Sequence, residues 1–475
     1  MRLNEPIELK GYFWLPGKER ERIPGTLRIS DGGNITLEIL GHFGKSIENF
    51  AAVLNSSPEN ELDISRIIGV LEKERLVTLD ECFYTRRKHS FHGVAKSEIV
   101  ANWAIVGVAY DEGEEVLIDS FSFSVEGIDE WLQVNNLTTS FDDDGKNVLV
   151  KYTQKDDVEL CSNDEFCICI KFGCGLKHDR TSSIRIEKDS SINISWKNPV
   201  SPSTCVALAH KLVSFICLAL DDIVCIMSVK ASSSSLHSRP NGAASDPMSM
   251  LLYYSAINYV EKRQGVKKRH ALFSFQDIKD ESKSVVSAWL AAYDLIEPAL
   301  GLYFFSRMSM QKYSESRFLA LSQAIETYHR RTTDETLMAP DKFQEALDEI
   351  KKSIAPENWD WVSQKLKYGN ELSLNKRILS MLTEFNSFFG TKKDIKKLCR
   401  VIVDSRNYFT HYDNELSDKV ARGENLWALC LKMEILLQLH LLARLAFSRE
   451  KIEVIVRSSN RIDQALKLKV VLDAT

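Results

Sequence analysis

The pattern of hydrophobic and polar positions changes near residue 300. Before it, short apolar runs alternate with polar residues, as in Ile35, Leu37 and Ile39, and clusters of Gly, Asn and Asp separate the runs. Beyond it, apolar residues recur every three or four positions, which is the helical period. The sequence therefore predicts an α+β protein, with a β-rich N-terminal domain over residues 1–300 and an all-α helical bundle over residues 301–475.

The helical period predicts six helices in the second half, over residues 314–331, 341–353, 357–368, 374–389, 391–412 and 425–447. A further helix from about Ser284 to Arg307 is expected to connect the two domains. In the first half, an apolar segment after Pro202 is interpreted as helical. The polar stretch Ser232–Asp246 is expected to be an exposed loop inserted in the first domain, since strand patterns resume at 251–254 and 271–275.

Composition sets limits on location and partners. The net charge of −5 argues against binding nucleic acid over the whole surface, so an RNA site has to be a local basic patch. The most apolar runs, residues 205–229 and 426–447, contain charged residues and histidines, and neither is expected to span a membrane. Ten scattered cysteines and an N-terminus without an apolar signal core indicate the cytoplasm.

The most informative chemical pattern is Arg406-Asn407-Tyr408-Phe409-Thr410-His411, near the end of the predicted helix 391–412. At about 100° per residue, Asn407 and His411 share one face of that helix. Three basic residues project within about 40° of the same direction and are candidate RNA-binding residues: Lys393, Lys397 and Arg400. Arg406 falls about 140° from His411, toward the apolar side, so its guanidinium needs an anionic partner there.

The spacing alone has a structural alternative. Arg87 and His92 have the same separation, but no Asn stands beside Arg87 and that region lacks a helical stripe. Cations near the end of a helix also complement its dipole without any chemical role. Both a functional and a structural interpretation of Arg406 and His411 stay open at this level.

Three segments carry a resemblance to one family. Arg406–His411 resembles the R-N-x3-H signature of HEPN ribonuclease domains, and 318–331 (FLALSQAIETYHRR) resembles the opening helix of the ApeA-type branch. Residues 11–17 (GYFWLPG) and 24–27 (PGTL) are similar to the β-rich domain that precedes HEPN in ApeA proteins. The resemblance covers nearly the whole chain.

The resemblance implies a metal-independent endoribonuclease that needs no cofactor. His411 would be the general base or acid, Arg406 would stabilise charge on the phosphate, and Asn407 would orient His411 or the phosphate. The helix with Glu326 would pack against the signature helix, so that Glu326 anchors Arg406 or joins the site. The alternative is a surface ion pair of Glu326 with Arg330 at i+4, and Arg330 is also a candidate RNA-binding residue.

The resemblance also implies partners. A homodimer that brings two signatures together is expected, with RNA as substrate, transfer RNA as one candidate, and a phage-derived trigger acting on the N-terminal domain in abortive infection. Two alternatives remain, namely a non-catalytic HEPN module that binds RNA or nucleotides, and a dimerisation scaffold.

Other constellations favour structural explanations. Cys161, Cys167, Cys169, Cys174 and His178 do not have zinc-site spacing, and a plain strand is the favoured interpretation. The triplet at 44–46 lacks the first glycine of a phosphate-binding loop. The basic run between 262 and 269 is interpreted as a solvated loop, and the aromatic residues at 12–14 as strand core.

Overall fold

The structure is a computed structural model that describes residues 1–43, 63–88, 95–142, 144–179, 183–237, 247–261, 271–308 and 314–470. Its described residues form two compact units, Met1–Val286 and Ser287–Thr475. The predicted boundary at residue 300 lies further along the helix Ser282–Arg307, within which these units divide. The first unit is β-rich and the second is helical, so the α+β prediction is confirmed.

Six antiparallel strands of the first unit close into a barrel. In ring order they are β1 (Ile7–Trp14), β2 (Ile23–Ile29), β3 (Ile35–Ile39), β6 (Lys96–Val106), β5 (Arg75–Lys88) and β4 (Asp63–Leu71), which pairs again with β1. Alternate residues point inward, and Phe13, Leu27, Ile39 and Leu79 are buried there. Burial of this apolar face is the main stabilising contribution to the barrel.

Two glycines allow β1 and β4 to pair. A Cβ at Gly11 would lie 2.3 Å from the carbonyl oxygen of Val70, and a Cβ at Gly69 would lie 2.6 Å from the ring of Phe13. Since Phe13 pairs directly with Gly69, the large ring fills the space that the glycine leaves free. Barrel closure thus depends on residues more than 50 positions apart in the sequence.

Strand β6 also continues into an open sheet. After it follow β16 (Pro247–Tyr254), β15 (Ile226–His237), β7 (Ile118–Val125), β14 (Ser191–Val200), β11 (Phe166–Lys171) and β10 (Val158–Ser162). Helix α2 (Pro202–Leu220) packs against β7 and β14, and α1 (Ile128–Leu132) packs against α2. The described residues also form two separate hairpins: β8 (Leu137–Phe141) with β9 (Val148–Tyr152), and β12 (Cys174–Asp179) with β13 (Ser183–Lys188).

Two predictions for this unit are wrong. The serine-rich start of the predicted loop Ser232–Asp246 belongs to β15, where Ser232 pairs with Ser120 on one side and Ser249 on the other. Small serines fit this central strand, and residues 238–246 lie outside the described part. The strand predicted at Ala271–Phe275 is not formed. Instead, Ser274 and Asp277 make a capping box that starts α3 (Phe275–Ile278).

The second unit is a helical bundle. After α4 (Ser282–Arg307), the helices α5 (Ser314–Thr332), α8 (Leu374–Glu384), α10 (Lys392–His411) and α11 (Gly423–Arg444) pack against one another. The more exposed helices α6 (Pro340–Ser353) and α7 (Pro356–Leu366) lie between α5 and α8 in the sequence. The short α9 (Asn386–Phe389) follows α8, and α12 (Arg449–Ser458) and α13 (Asn460–Lys467) pack near α11.

Three described helical stretches are long and apolar enough to cross a membrane by length and composition alone, namely Pro202–Leu220, Phe275–Arg307 and Gly423–Arg444. Two of them, α2 and α11, bury most of the residues of their apolar segment inside the protein. That the runs 205–229 and 426–447 do not span a membrane stays a prediction.

Candidate active site

Helix α10 carries the signature, and local sequence sets both of its ends. Thr391 caps the first turn by accepting a hydrogen bond from the backbone N–H of Asp394, whose carboxylate accepts one from the backbone N–H of Thr391. The apolar residues Ile395, Ile402 and Phe409 are buried against the bundle. The helix ends after His411, because Tyr412 adopts a left-handed backbone conformation with φ of +52°.

The exposed face of α10 holds most of the predicted site residues. His411 is exposed and Asn407 half-buried, and the basic strip of Lys393, Lys397 and Arg400 is exposed along the same helix. Within the described residues, the His411 imidazole has no hydrogen bond or ion pair. Arg400 lies 3.6 Å from the Asp404 carboxylate, one turn further along. The positive charge of this strip attracts phosphate groups, and the exposed His411 imidazole at its end is accessible to them.

Arg406 has the anionic partner that its position requires. Its Nη2 lies 3.8 Å from Oε2 of Glu326 on α5, and its Nη1 donates a hydrogen bond of 3.2 Å to Oδ1 of Asn407. The side chain remains 33% exposed. The long side chain therefore turns back from the apolar side toward the signature, and part of its guanidinium is still accessible to a ligand.

Glu326 contacts both of its predicted partners, Arg406 and Arg330. It also pairs with Arg330, whose guanidinium lies 3.1 Å from Oε1, so the anchoring interpretation and the i+4 ion pair both hold. Arg330 in turn donates to the carboxylate of Glu371, and Arg377 lies 3.5 Å from that carboxylate. We call this alternating row the charge relay, defined by Arg406, Glu326, Arg330, Glu371 and Arg377. Arg330, the cation in its middle, lies between two carboxylates.

The charge relay ends at a buried histidine. Nη1 of Arg377 donates to Nδ1 of His329 at 3.2 Å, and since a guanidinium cannot accept, the neutral imidazole has its proton on Nε2. Burial, followed by the nearby Arg377 charge, lowers the pKa of His329. His329 lines a cavity of about 250 Å³ together with a second buried histidine, His440. The His440 Nε2 lies 3.2 Å from the carbonyl oxygen of Met381.

An aromatic pair flanks the signature. The Tyr408 and Tyr412 rings contact each other edge to face with centroids 5.5 Å apart, and the Arg422 guanidinium lies 4.9 Å from the Tyr408 ring centroid. The sequence-based prediction missed Tyr412, Arg422, Glu371 and Arg377. Tyr412 is the next residue after the signature, so its position was a usable signal. Glu371 and Arg377 lie on other elements, and no spacing rule connects them to Arg406.

The other sequence candidates lie elsewhere or outside the described residues. Cys167 and Cys169 occupy one face of β11 with their sulfur atoms 3.6 Å apart. The pKa of the Cys169 thiol is raised to about 11, and burial is the largest cause. Across the described ranges, no group of three or more His, Cys, Asp or Glu side chains is arranged to hold a metal ion. Arg87 stacks on Tyr84 within β5. Four candidates lie outside the described part: residues 44–46, His92, the basic run 262–269 and the side chain of His178.

The aromatic residues of β1 differ in their burial. Phe13 and Trp14 are buried, as predicted, whereas Tyr12 is exposed on the outer face of the barrel. The prediction that all three form strand core is therefore wrong for Tyr12.

A helical bundle whose Arg-Asn-x3-His motif ends one helix and is anchored by a glutamate on the neighbouring helix defines the class: a HEPN nuclease-type module. The chain belongs to the ApeA family, since residues 8–289 match ApeA N-terminal domain 1 and residues 319–451 match the Apea-like HEPN domain. HEPN domains are generally ribonucleases. No curated protein and no solved structure matches the chain.

Proposed function

We propose that the protein is a metal-independent endoribonuclease whose site comprises Arg406, Asn407 and His411, with Glu326 as the anchor of Arg406. The observation that carries the proposal is the Arg406–Glu326 contact beside the exposed His411, at the end of the basic strip. The contact holds a guanidinium next to the signature while leaving it accessible. The Apea-like HEPN match over the same residues supports this assignment.

RNA supplies its own nucleophile for this reaction. The 2′-OH attacks the adjacent phosphorus while a base takes its proton, the P–O5′ bond breaks, and an acid protonates the departing 5′ oxygen. The products are a 2′,3′-cyclic phosphate and a 5′-OH, and DNA is inert because it lacks the hydroxyl. Arg406 stabilises the charge that develops on the phosphate oxygens.

One histidine cannot serve as base and acid in the same step. We infer a homodimer in which the His411 side chains of both copies face one phosphate, one accepting and one donating the proton. The exposed position of His411 at the end of α10 leaves its side chain accessible to a second copy. Lys393, Lys397, Arg400 and Arg330 then bind the flanking phosphates, and the affinity for RNA falls steeply with salt.

The test is incubation of wild-type and His411→Ala protein with total cellular RNA in EDTA, followed by end-group analysis. We expect cutting by the wild type with cyclic phosphate ends, and none by the variant. Cutting by His411→Ala protein would contradict the mechanism. RNA that is bound with strong salt dependence but left intact by both proteins would instead establish the second candidate, a non-catalytic RNA-binding module.

We further propose that this activity acts in antiphage defence by abortive infection, with transfer RNA as a candidate substrate. The N-terminal unit would then recognise a phage-derived trigger and release the ribonuclease. The family match of both regions supports this assignment by analogy. Expression of the wild type, but not of His411→Ala, is expected to protect a bacterial culture from phage and to fragment its RNA during infection.

A further inference from the structure

The residue that follows the signature has an unusual combination of features. Tyr412 is 66% exposed, although tyrosine is a large and mostly apolar side chain. Its backbone has φ of +52°, the left-handed conformation that ends the helix. Glycine is the usual residue at that position because any Cβ is crowded there. Tyrosine is therefore less favourable than glycine at this helix end, and the exposed ring contributes little to the hydrophobic core.

The surroundings hold the aromatic edge of the site in place. The backbone N–H of Tyr412 donates to the carbonyl oxygen of Tyr408 at 2.5 Å, and the Tyr412 ring contacts the Tyr408 ring. Tyr408 in turn carries the Arg422 guanidinium on its face, and Arg422 donates to the Ser417 hydroxyl at 3.3 Å. The half-buried Tyr408 thus supports the exposed Tyr412.

The direction of this edge relative to the signature follows from helix geometry. At 100° per residue, Tyr408 projects about 60° from His411, on the opposite side from Arg406. His411 therefore lies between two flanks of different chemistry. One flank is the charge relay that begins at Arg406, and the other is an aromatic surface with the exposed cation Arg422 beside it.

We infer that Tyr412 is a stacking platform for an unpaired nucleobase next to the scissile phosphate, with Arg422 contacting a flanking phosphate. The inference rests on the proposed ribonuclease function and makes its substrate class narrower. A base can lie on an exposed ring only when it is free of its own helix, so the substrate is single-stranded RNA or an RNA loop. Every base has a π-face, so stacking selects for unpaired structure rather than for one base.

The backbone conformation permits a sharp test. Tyr412→Gly removes the ring and at the same time supplies the residue that the left-handed position prefers, so the folded protein is expected to keep or raise its melting temperature. Tyr412→Phe keeps the ring. Tyr368→Gly is the matched control, since Tyr368 is a 65% exposed tyrosine of the same unit and has no part in the proposed site.

The experiment measures kcat/KM of the full-length protein on one labelled RNA sequence, presented as a hairpin loop and as a duplex. It also measures the affinity for the same loop with 2′-O-methyl groups, which cannot be cut. For Tyr412→Gly we expect loop cleavage and loop binding to fall about 10- to 100-fold, while Tyr412→Phe and Tyr368→Gly behave like the wild type. The wild type is expected to prefer the loop strongly over the duplex.

The outcomes separate the inference from the function on which it rests. Wild-type cleavage with unchanged loop cleavage and loop binding by Tyr412→Gly would overturn the platform and leave the ribonuclease intact. Equal cleavage of loop and duplex would overturn it as well. If Tyr412→Gly lost activity only because the dimer dissociates, as measured by sedimentation, the ring would be a subunit contact and the platform would be wrong. Binding that depends on Tyr412 without any wild-type cleavage would refute the ribonuclease but keep the base-binding site.

Discussion

The helical unit contains two charge networks that use the same residue types in opposite ways. In the first, Glu434 of α11 pairs with Arg307 of α4 at 2.5 Å and with Arg317 of α5 at 2.7 Å, and its side chain is only 3% exposed. In the second, the charge relay, Glu326 is 19% exposed and its partner Arg406 is 33% exposed. The carboxylate at the centre of the first network is closed to solvent, whereas the second network is open at its Arg406 end.

The difference in exposure gives the two networks different roles: the Glu434 network stabilises the fold, whereas the Glu326 pair positions Arg406 at the candidate site. Burial alone would raise the pKa of Glu434, but the surrounding arginines overcome that effect and the pKa is lowered, so Glu434 stays ionised and ties three helices together. The charge relay is less enclosed at its Arg406 end, and water screens the Arg406–Glu326 ion pair there. Its arginine can therefore exchange part of its interaction with Glu326 for one with a phosphate.

The largest expected effect is on the closed network. Glu434→Gln removes the buried carboxylate that the half-buried Arg307 and Arg317 share, and is expected to lower the free energy of unfolding by about 3–5 kcal/mol. The same change in the open network, Glu326→Gln, is the matched control and is expected to cost less than about 1 kcal/mol. Urea denaturation of both variants measures the difference. Equal losses of unfolding free energy in the two variants would mean that the two networks contribute equally to stability.

The next effect concerns activity rather than stability. Arg406→Ala is expected to reduce RNA cleavage by about 10²- to 10³-fold, because it removes the group that faces the developing charge. Its urea denaturation midpoint is expected to stay close to the wild type. Arg457→Ala, an exposed arginine of α12, serves as the control for the loss of one cation. A destabilised Arg406→Ala protein with normal activity per folded molecule would place Arg406 in the fold instead.

A pH effect tests the cavity next to the charge relay. Burial lowers the pKa of His440 to about 4, and the neighbouring groups are His329, Arg444 and the Glu384 carboxylate, which lies 3.6 Å from Nδ1. The unfolded chain binds a proton below about pH 6.5, so stability is expected to fall as the pH drops from 6.5 toward 4, by on the order of 3 kcal/mol.

The measurement for that prediction is the difference in unfolding free energy between the wild type and His440→Gln at pH 7 and pH 4.5. The difference should shrink at the lower pH, because only the wild type has to keep this buried histidine neutral. A difference that is constant with pH would show that His440 titrates normally in the folded protein.

The smallest expected effect lies in the middle of the charge relay. Glu371→Gln removes the carboxylate shared by Arg330 and Arg377, so that Arg330 is free to compete with Arg406 for Glu326. We expect kcat for RNA cleavage to fall by up to about tenfold with little change in KM, as for a positioning residue. Glu345→Gln on the exposed face of α6 is the control. An unchanged kcat would mean that Glu371 does not affect cleavage and that the residues of the charge relay beyond Glu326 have no role in it.

The sequence predicted those features that depend on neighbouring residues. Helix α10 was predicted over 391–412 and spans Lys392–His411, because Thr391 and Asp394 form its cap locally. The need of Arg406 for an anionic partner also followed from helix geometry, and Glu326 is that partner. That these residues catalyse a reaction stays a prediction.

The features that were missed depend on contacts across the chain. Barrel closure requires Phe13 to meet Gly69, and the charge relay requires Glu371, between α7 and α8, to reach Arg330 on α5. At Ala271–Phe275, strand propensity lost to the capping box of Ser274 and Asp277. At Ser232–His237, the serine-rich composition concealed a strand whose pairing partners lie ten or more residues away. Propensity and periodicity contain no information about such distant partners.

The double membership of β6 has a consequence for solubility. An open sheet ordinarily has two edges at which another chain can add a strand and start aggregation. Here β6 closes the barrel at one end, so within the described residues the large sheet has a single free edge, β10. A bulge between Glu159 and Cys161 interrupts that edge, and Lys283 pairs with Glu159 at 2.8 Å. As far as the structure describes the chain, the edge of this twelve-stranded sheet that another chain could extend is short, bulged and charged.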